Sequence, residues 1–137
     1  MKRLLVCLTL TALCIGGLSI NQTAVATSEF NKVWKEKFLD DDANEDFKKL
    51  AKKASCNVCH IYREKKSKRN DYGDAIHKYL KKEDFKRDYV KANYEEASKK
   101  IMEGFKKAAE EKDKNGVKFS EKLKKNQLPA SNANLKK

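Results

Sequence analysis

The chain has 137 residues and a formal net charge of +12, with 38% charged residues, four cysteines, one proline and five glycines. That length allows one domain and little more. Only 19 residues after position 26 are Leu, Ile, Val or Phe. At so high a net charge, such a chain stays disordered unless something adds apolar surface.

Lys2 and Arg3 form a basic start, Leu4 to Ile20 carries no charge, and Ala24-Val25-Ala26 is an A-x-A cleavage pattern. Residues 1–26 therefore read as a secretory signal peptide cleaved after Ala26, which predicts export to the periplasm or an equivalent compartment. An uncleaved anchor is the alternative, but Thr9, Thr11, Gly16 and Gly17 dilute the apolar run. Leu13 directly before Cys14 argues against lipoprotein processing. Removal of the leader takes away Cys7, Cys14, Lys2 and Arg3. The remaining charge is +10, all twelve aromatic residues are kept, and so are two cysteines.

Apolar positions then repeat every three to four residues with no strand-like alternation, which predicts an all-α fold. A first helix is expected over 28–39, with Phe30, Val33, Trp34 and Phe38 on one side. Asp40-Asp41-Asp42 should end it and cap a second helix over 43–55, which carries Phe47, Leu50, Ala51 and Ala54. A basic loop follows over 63–69. Asn70-Asp71 should cap a helix bearing Tyr72, Ala75, Ile76, Tyr79 and Leu80. Residues 84–113 carry a stripe of Phe85, Tyr89, Val90, Tyr94, Ala97, Ile101, Phe105 and Ala108, with a break expected between Asp88 and Asn93. Asn115-Gly116 signals a turn. A short element with Val117, Phe119, Leu123 and Leu128 closes the domain at 128, and residues 129–137 are expected to form a disordered tail.

The chemistry is concentrated in Cys56-Asn57-Val58-Cys59-His60. C-x-x-C-H reads as a c-type haem attachment site. Two thiols add across the two vinyl groups of one porphyrin edge, and the following histidine supplies the proximal nitrogen to the iron. A disulfide between Cys56 and Cys59, a zinc site using Cys56, Cys59, His60 and His77, and a chance match are the alternatives. A thioredoxin-like role needs a βαβ context that the chain lacks, and the zinc ligand pairs have the wrong spacing. Export agrees with haem c, which is attached outside the cytoplasm. One covalent haem c also answers the shortage of core, because a porphyrin is a large apolar plate. Trp34, Phe38, Phe47, Leu50, Tyr79, Tyr94, Ile101 and Phe105 are its expected wall.

On these residues the chain resembles the small exported monohaem c-type cytochromes. A helix before Cys56–His60 and helices after it are similar to the class I cytochrome c layout. That resemblance implies a haem c domain of about four to five helices over 27–128 and a later methionine on the other face of the iron. The motif lies far from the C-terminus, unlike that of the cytochromes c′. Asn57-Val58, the lysines after the motif, Tyr72-Gly73 and the stretch from Gly116-Val117-Lys118-Phe119 to Leu128-Pro129 are also similar to a subgroup of small haem c proteins.

Met102 is the sole methionine after the leader and is expected as the distal ligand, ahead of an open sixth position and of His77. His77 falls off the Ile76–Tyr79–Leu80 stripe. Some small haem c proteins bind nitric oxide or carbon monoxide at an open site, and some use a distal thiolate. No third cysteine follows residue 26, so a thiolate here would come from a partner chain.

The expected function is single-electron transfer between redox proteins, with no enzymatic reaction of the protein's own. The excess positive charge suits an acidic redox partner, with Lys65, Lys66, Lys68 and Arg69 as the docking patch or simply a solvated loop. It also suits an anionic membrane surface, and a homo- or hetero-dimer fits the thin helices. Lysines spread over every helix do not make a nucleic-acid interface.

Overall fold

A computed structural model of the chain describes residues 25–130. The expected leader lies outside the described residues except for its last two positions, and so do residues 131–137 of the expected tail. Among the described residues there is no strand, and the fold is all-α. Six α-helices occur: α1 Val25–Phe38, α2 Glu45–Ala54, α3 Asp71–Tyr79, α4 Arg87–Ala92, α5 Tyr94–Glu110 and α6 Phe119–Lys124. Short 3₁₀ turns occupy Ser55–Val58 and Lys82–Phe85. No helix among the described residues is long and apolar enough to cross a membrane.

The caps differ in one place from the sequence expectation. Asn44, not the Asp40–Asp42 run, starts α2: its backbone is extended and its side-chain oxygen accepts from Phe47 N at 2.7 Å. Asp40 instead closes a turn by accepting from Ala43 N. Asn70 caps α3 as expected, by accepting from Gly73 N at 2.8 Å. The long C-terminal helical stretch breaks twice. Lys86 is extended and separates the Lys82–Phe85 turn from α4, and Asn93 (φ −132°, ψ 45°) separates α4 from α5. Asp88 to Ala92, inside the expected break, are helical.

The core is a single cluster in which α5 is central. Ala97, Ile101, Phe105 and Ala108 are buried, as their spacing predicts. Phe30 of α1 lies edge-on to Phe85 at 5.3 Å and to Phe105 at 6.4 Å, so α1 and α5 lock through rings. Tyr72 is fully buried, 5.1 Å from the Phe119 ring, and its hydroxyl accepts from Trp34 Nε1 at 3.1 Å. Tyr79 and Tyr94 leave the stripe: both are exposed, Tyr79 bonding Glu111 and Tyr94 lying under the Lys32 ammonium at 4.4 Å.

The closing turn is tight. Gly116 adopts φ +80°, a left-handed conformation that suits glycine. Asp113 accepts from Asn115 N at 2.8 Å and Val117 N at 3.0 Å, while its other oxygen meets Lys122 Nζ at 2.5 Å. Lys122 also donates to the Pro129 carbonyl at 3.1 Å. Pro129 and Ala130, expected to begin a free tail, are therefore packed and buried.

Phe105→Ala should cost about 3–5 kcal/mol, read as a lower denaturant midpoint at unchanged slope. The Lys122 hydrogen bond holds the Asp113 carboxyl down at about 2, against the cost of burial. A carboxyl depressed in the folded state stabilises above its unfolded value near pH 4, and that contribution disappears as pH falls towards 2. Lys122→Met should lower stability at pH 6 and shrink the loss between pH 4 and pH 2, measured by urea titrations across that range.

Candidate functional site

The Cys56–His60 motif sits where α2 ends. Ser55, the residue after α2, takes φ +49°, a positive value that is uncommon outside glycine, and turns the chain out of the helix. The 3₁₀ turn then carries Cys56, Asn57 and Val58, and the Cys56 carbonyl accepts from both Cys59 N (3.2 Å) and His60 N (3.1 Å). The chain returns through a loop whose ends pair: His60 bridges Arg69, and Ile61 N donates to the Lys68 carbonyl at 3.3 Å.

The start of α3 presses on this turn. A Cβ at Gly73 would lie 1.9 Å from the Cys59 carbonyl oxygen, which is backbone and cannot yield, so position 73 excludes any side chain. Asn70, 1% exposed, sits at the same junction and bonds the motif through both its side chain and its backbone.

Both cysteines are free thiols. Cys56 is exposed; its partial burial works upward, but the Lys66 ammonium and the Ser55 hydroxyl beside it bring the thiol below its ordinary value. Cys59 faces inward, and burial, with the neighbouring Cys56, pushes its thiol up to about 12. Burial also lowers His60, against the Lys68 carbonyl bond and with help from Lys66 and Arg69, so the imidazole is neutral at pH 7. His60 Nδ1 lies 3.3 Å from the Lys68 carbonyl. A carbonyl only accepts, so Nδ1 carries the proton and Nε2 keeps its lone pair for an acceptor role or a metal.

Two thiols two residues apart and an imidazole with Nε2 unbonded form the donor set that a haem c requires. The donor residues fit that group. Cys59 is half-buried against the core, so its thiol is the less accessible of the two.

Met102 is half-buried against the core. α3 packs on α5 beside it. Leu80 packs on Gly104, Lys78 and Tyr79 reach Glu111, and Tyr72 meets Phe119, whose N–H bonds the Glu111 carbonyl. Cys56, Cys59 and His60 lie on one short turn, and Met102 packs on α5 against the core.

His77 is half-buried on α3. Among the described residues, no three His, Cys, Asp or Glu side chains gather to hold a metal ion, so His77 does not complete a site with the motif. A cleft of 520 Å³ runs between Tyr79, Phe85, Tyr89 and α5, and another of 370 Å³ between the end of α1 and α6. Neither has a motif residue in its wall. Sequence reasoning missed Asn70 and Gly73 as parts of the site. The Asn-x-x-Gly cap was the one visible signal.

Compared with known proteins, the chain matches no family model, no curated protein and no solved structure.

The two thiols should differ sharply in reactivity. In the reduced chain at pH 7.5, iodoacetamide should label Cys56 well before Cys59, because the exposed, lower-lying thiol is the better source of thiolate. Peptide mass analysis over time checks this, and equal labelling rates would contradict the geometry.

Proposed function

We propose that the chain is an exported monohaem c-type cytochrome that carries single electrons between redox partners. The observation that carries this reading is the motif itself: Cys56 and Cys59 as free thiols, followed by His60 with Nε2 available. Cys56 and Cys59 hold the haem through thioethers and His60 binds its iron. When bound, the group supplies a one-electron couple. The chain fixes the His60 tautomer through the Lys68 carbonyl and excludes water from the inner side of the motif with Tyr72 and Val58, both buried. The class I-like layout is supported by α1 before the motif and a long α5 after it, locked through Phe30 and Phe105. Export rests on the pattern of residues 1–26.

The partner is an acidic redox protein. Lys65, Lys66 and Lys68 are exposed and Arg69 half-exposed beside the motif, and none makes an ion pair with a described residue. Steering by such a patch raises encounter rates and weakens with salt.

A second reading is a haem c protein that binds nitric oxide or carbon monoxide at an open sixth position, supported by Met102 packing against the core cluster. Such a protein would suit a hetero-oligomer whose other chain completes the site.

Co-expression with a haem c attachment system should give a haem-stained band that survives denaturing electrophoresis, and Cys56→Ala/Cys59→Ala should abolish it. A wild-type chain without that band ends both readings. Carbon monoxide added to the reduced protein then separates them. An unchanged spectrum supports the electron carrier, with Met102→Ala opening the iron, and an immediate band shift supports the open site.

A further inference from the structure

We propose that Asn70 is the positioning residue of the Cys56–His60 loop, fixing the directions of both thiols and of the histidine through the carbonyls between them. The purpose of the loop rests on the haem c reading; the clamp itself does not.

Asn70 collects four consecutive carbonyls. Its Nδ2 donates to Asn57 O at 3.0 Å and Val58 O at 3.1 Å, with a longer contact to His60 O at 3.5 Å. Its backbone N–H donates to Cys59 O at 3.1 Å. The remaining motif carbonyl, that of Cys56, is taken by the turn's own N–H groups. Every backbone acceptor of the motif is thus satisfied, and four of the five end on one residue.

The side chain must be a carboxamide to do this. Two N–H donors face the turn while Oδ1 accepts from Gly73 N at 2.8 Å, so donor and acceptor ends are both used. Aspartate would keep the cap but turn an oxygen towards the carbonyls. Serine would keep the cap but is too short to span them. The residue is 1% exposed, where a lost partner leaves buried carbonyls unsatisfied. Gly73 completes the device, because the absence of its Cβ lets α3 approach the Cys59 carbonyl.

A plain helix cap would explain the Gly73 bond and none of the others. The test therefore compares Asn70→Ser, which keeps a capping oxygen, with Asn70→Ala, which does not. The readout is the iodoacetamide labelling rate of Cys59 against that of Cys56 in the reduced chain, with far-UV circular dichroism as the control for folding. Labelling of a thiol packed half-buried against the core rises as local opening becomes more frequent. Loss of two buried hydrogen bonds should raise the Cys59 rate by roughly tenfold or more in both variants, while Cys56 changes little. A serine variant in which Cys59 stays as protected as in wild type would reduce Asn70 to a cap and overturn the proposal.

Should both variants lose helicity, the wild-type chain still decides the matter. The Asn70 side-chain amide protons should exchange with solvent far more slowly than those of exposed Asn115, and equal exchange rates would overturn the clamp. In the haem-loaded protein, Asn70→Ser should lower haem incorporation and broaden the reduced absorption bands. A wild-type chain that takes up no haem defeats the functional reading and leaves the clamp to be judged by thiol labelling and amide exchange.

Discussion

The approach of α3 to the Cys59 carbonyl governs how the rest of the molecule is arranged. With no side chain at Gly73, the first turn of α3 meets backbone directly, and Asn70 converts that contact into hydrogen bonds. Once α3 is fixed there, Tyr72 is committed to the interior, where it meets Trp34 of α1 and Phe119 of α6. Leu80, at the far end of α3, then reaches Gly104 and sets the register against α5. A motif on the surface of the chain and a core made by distant helices are thereby one structure. Polar groups do the positioning and apolar groups supply most of the stabilisation, the usual division between directional and non-directional forces.

Legibility in the sequence followed the range of the interaction. The Cys56–His60 pattern was visible because its chemistry lies within five residues. The α5 stripe was visible because burial recurs at helical spacing, and Ala97, Ile101, Phe105 and Ala108 obey it. Tyr94 did not, since a ring at the first turn of α5 could be covered equally by core or by Lys32, and local pattern does not distinguish them. Asp40–Asp42 read as the cap of α2, yet the cap is the residue with an extended backbone three positions before Phe47, Asn44. Asn70 was legible as a cap but not as a clamp. Its acceptors lie 10 to 13 residues earlier, on a turn that only tertiary packing brings back to it. Pro129 read as the start of a tail because nothing local shows that Lys122 will bind its carbonyl.

Charge placement adds a second level of organisation. Several lysines elsewhere are neutralised by carboxylates: Lys48 and Lys49 within α2, Lys78 and Lys118 against the end of α5, Lys100 within it and Lys122 in the closing turn. Between positions 52 and 69 the chain has Lys52, Lys53, Arg63, Lys65, Lys66, Lys68 and Arg69 against the single acid Glu64. The local field at the motif is therefore more positive than the net charge alone conveys. It acts on the site as well as on partners: Lys66 favours the thiolate of Cys56, and Lys66 with Arg69 disfavours protonation of His60. Lys66 thus acts on both groups, favouring the thiolate of Cys56 and adding to the burial that lowers His60, in a loop that would otherwise look like solvated filler.

Chemistry at Cys59 has to reach a thiol packed half-buried against the core. A thiol facing the core reacts only when its surroundings open, and the least costly opening is the one that breaks the fewest buried contacts. Residues 63–68 are all exposed, and Arg63 holds a positive φ of 63°. The apolar side of the motif is anchored by Val58 and by Tyr72 on α3, both deep in the core. Swinging the 61–69 loop away therefore costs its few backbone bonds, whereas freeing α3 would dismantle the packing around Tyr72 and Phe119. Asn70 stands at the boundary between these two parts. The bonds it makes to the motif decide whether opening stops at the loop or spreads into the helices, and so whether Cys59 can be reached while the fold survives.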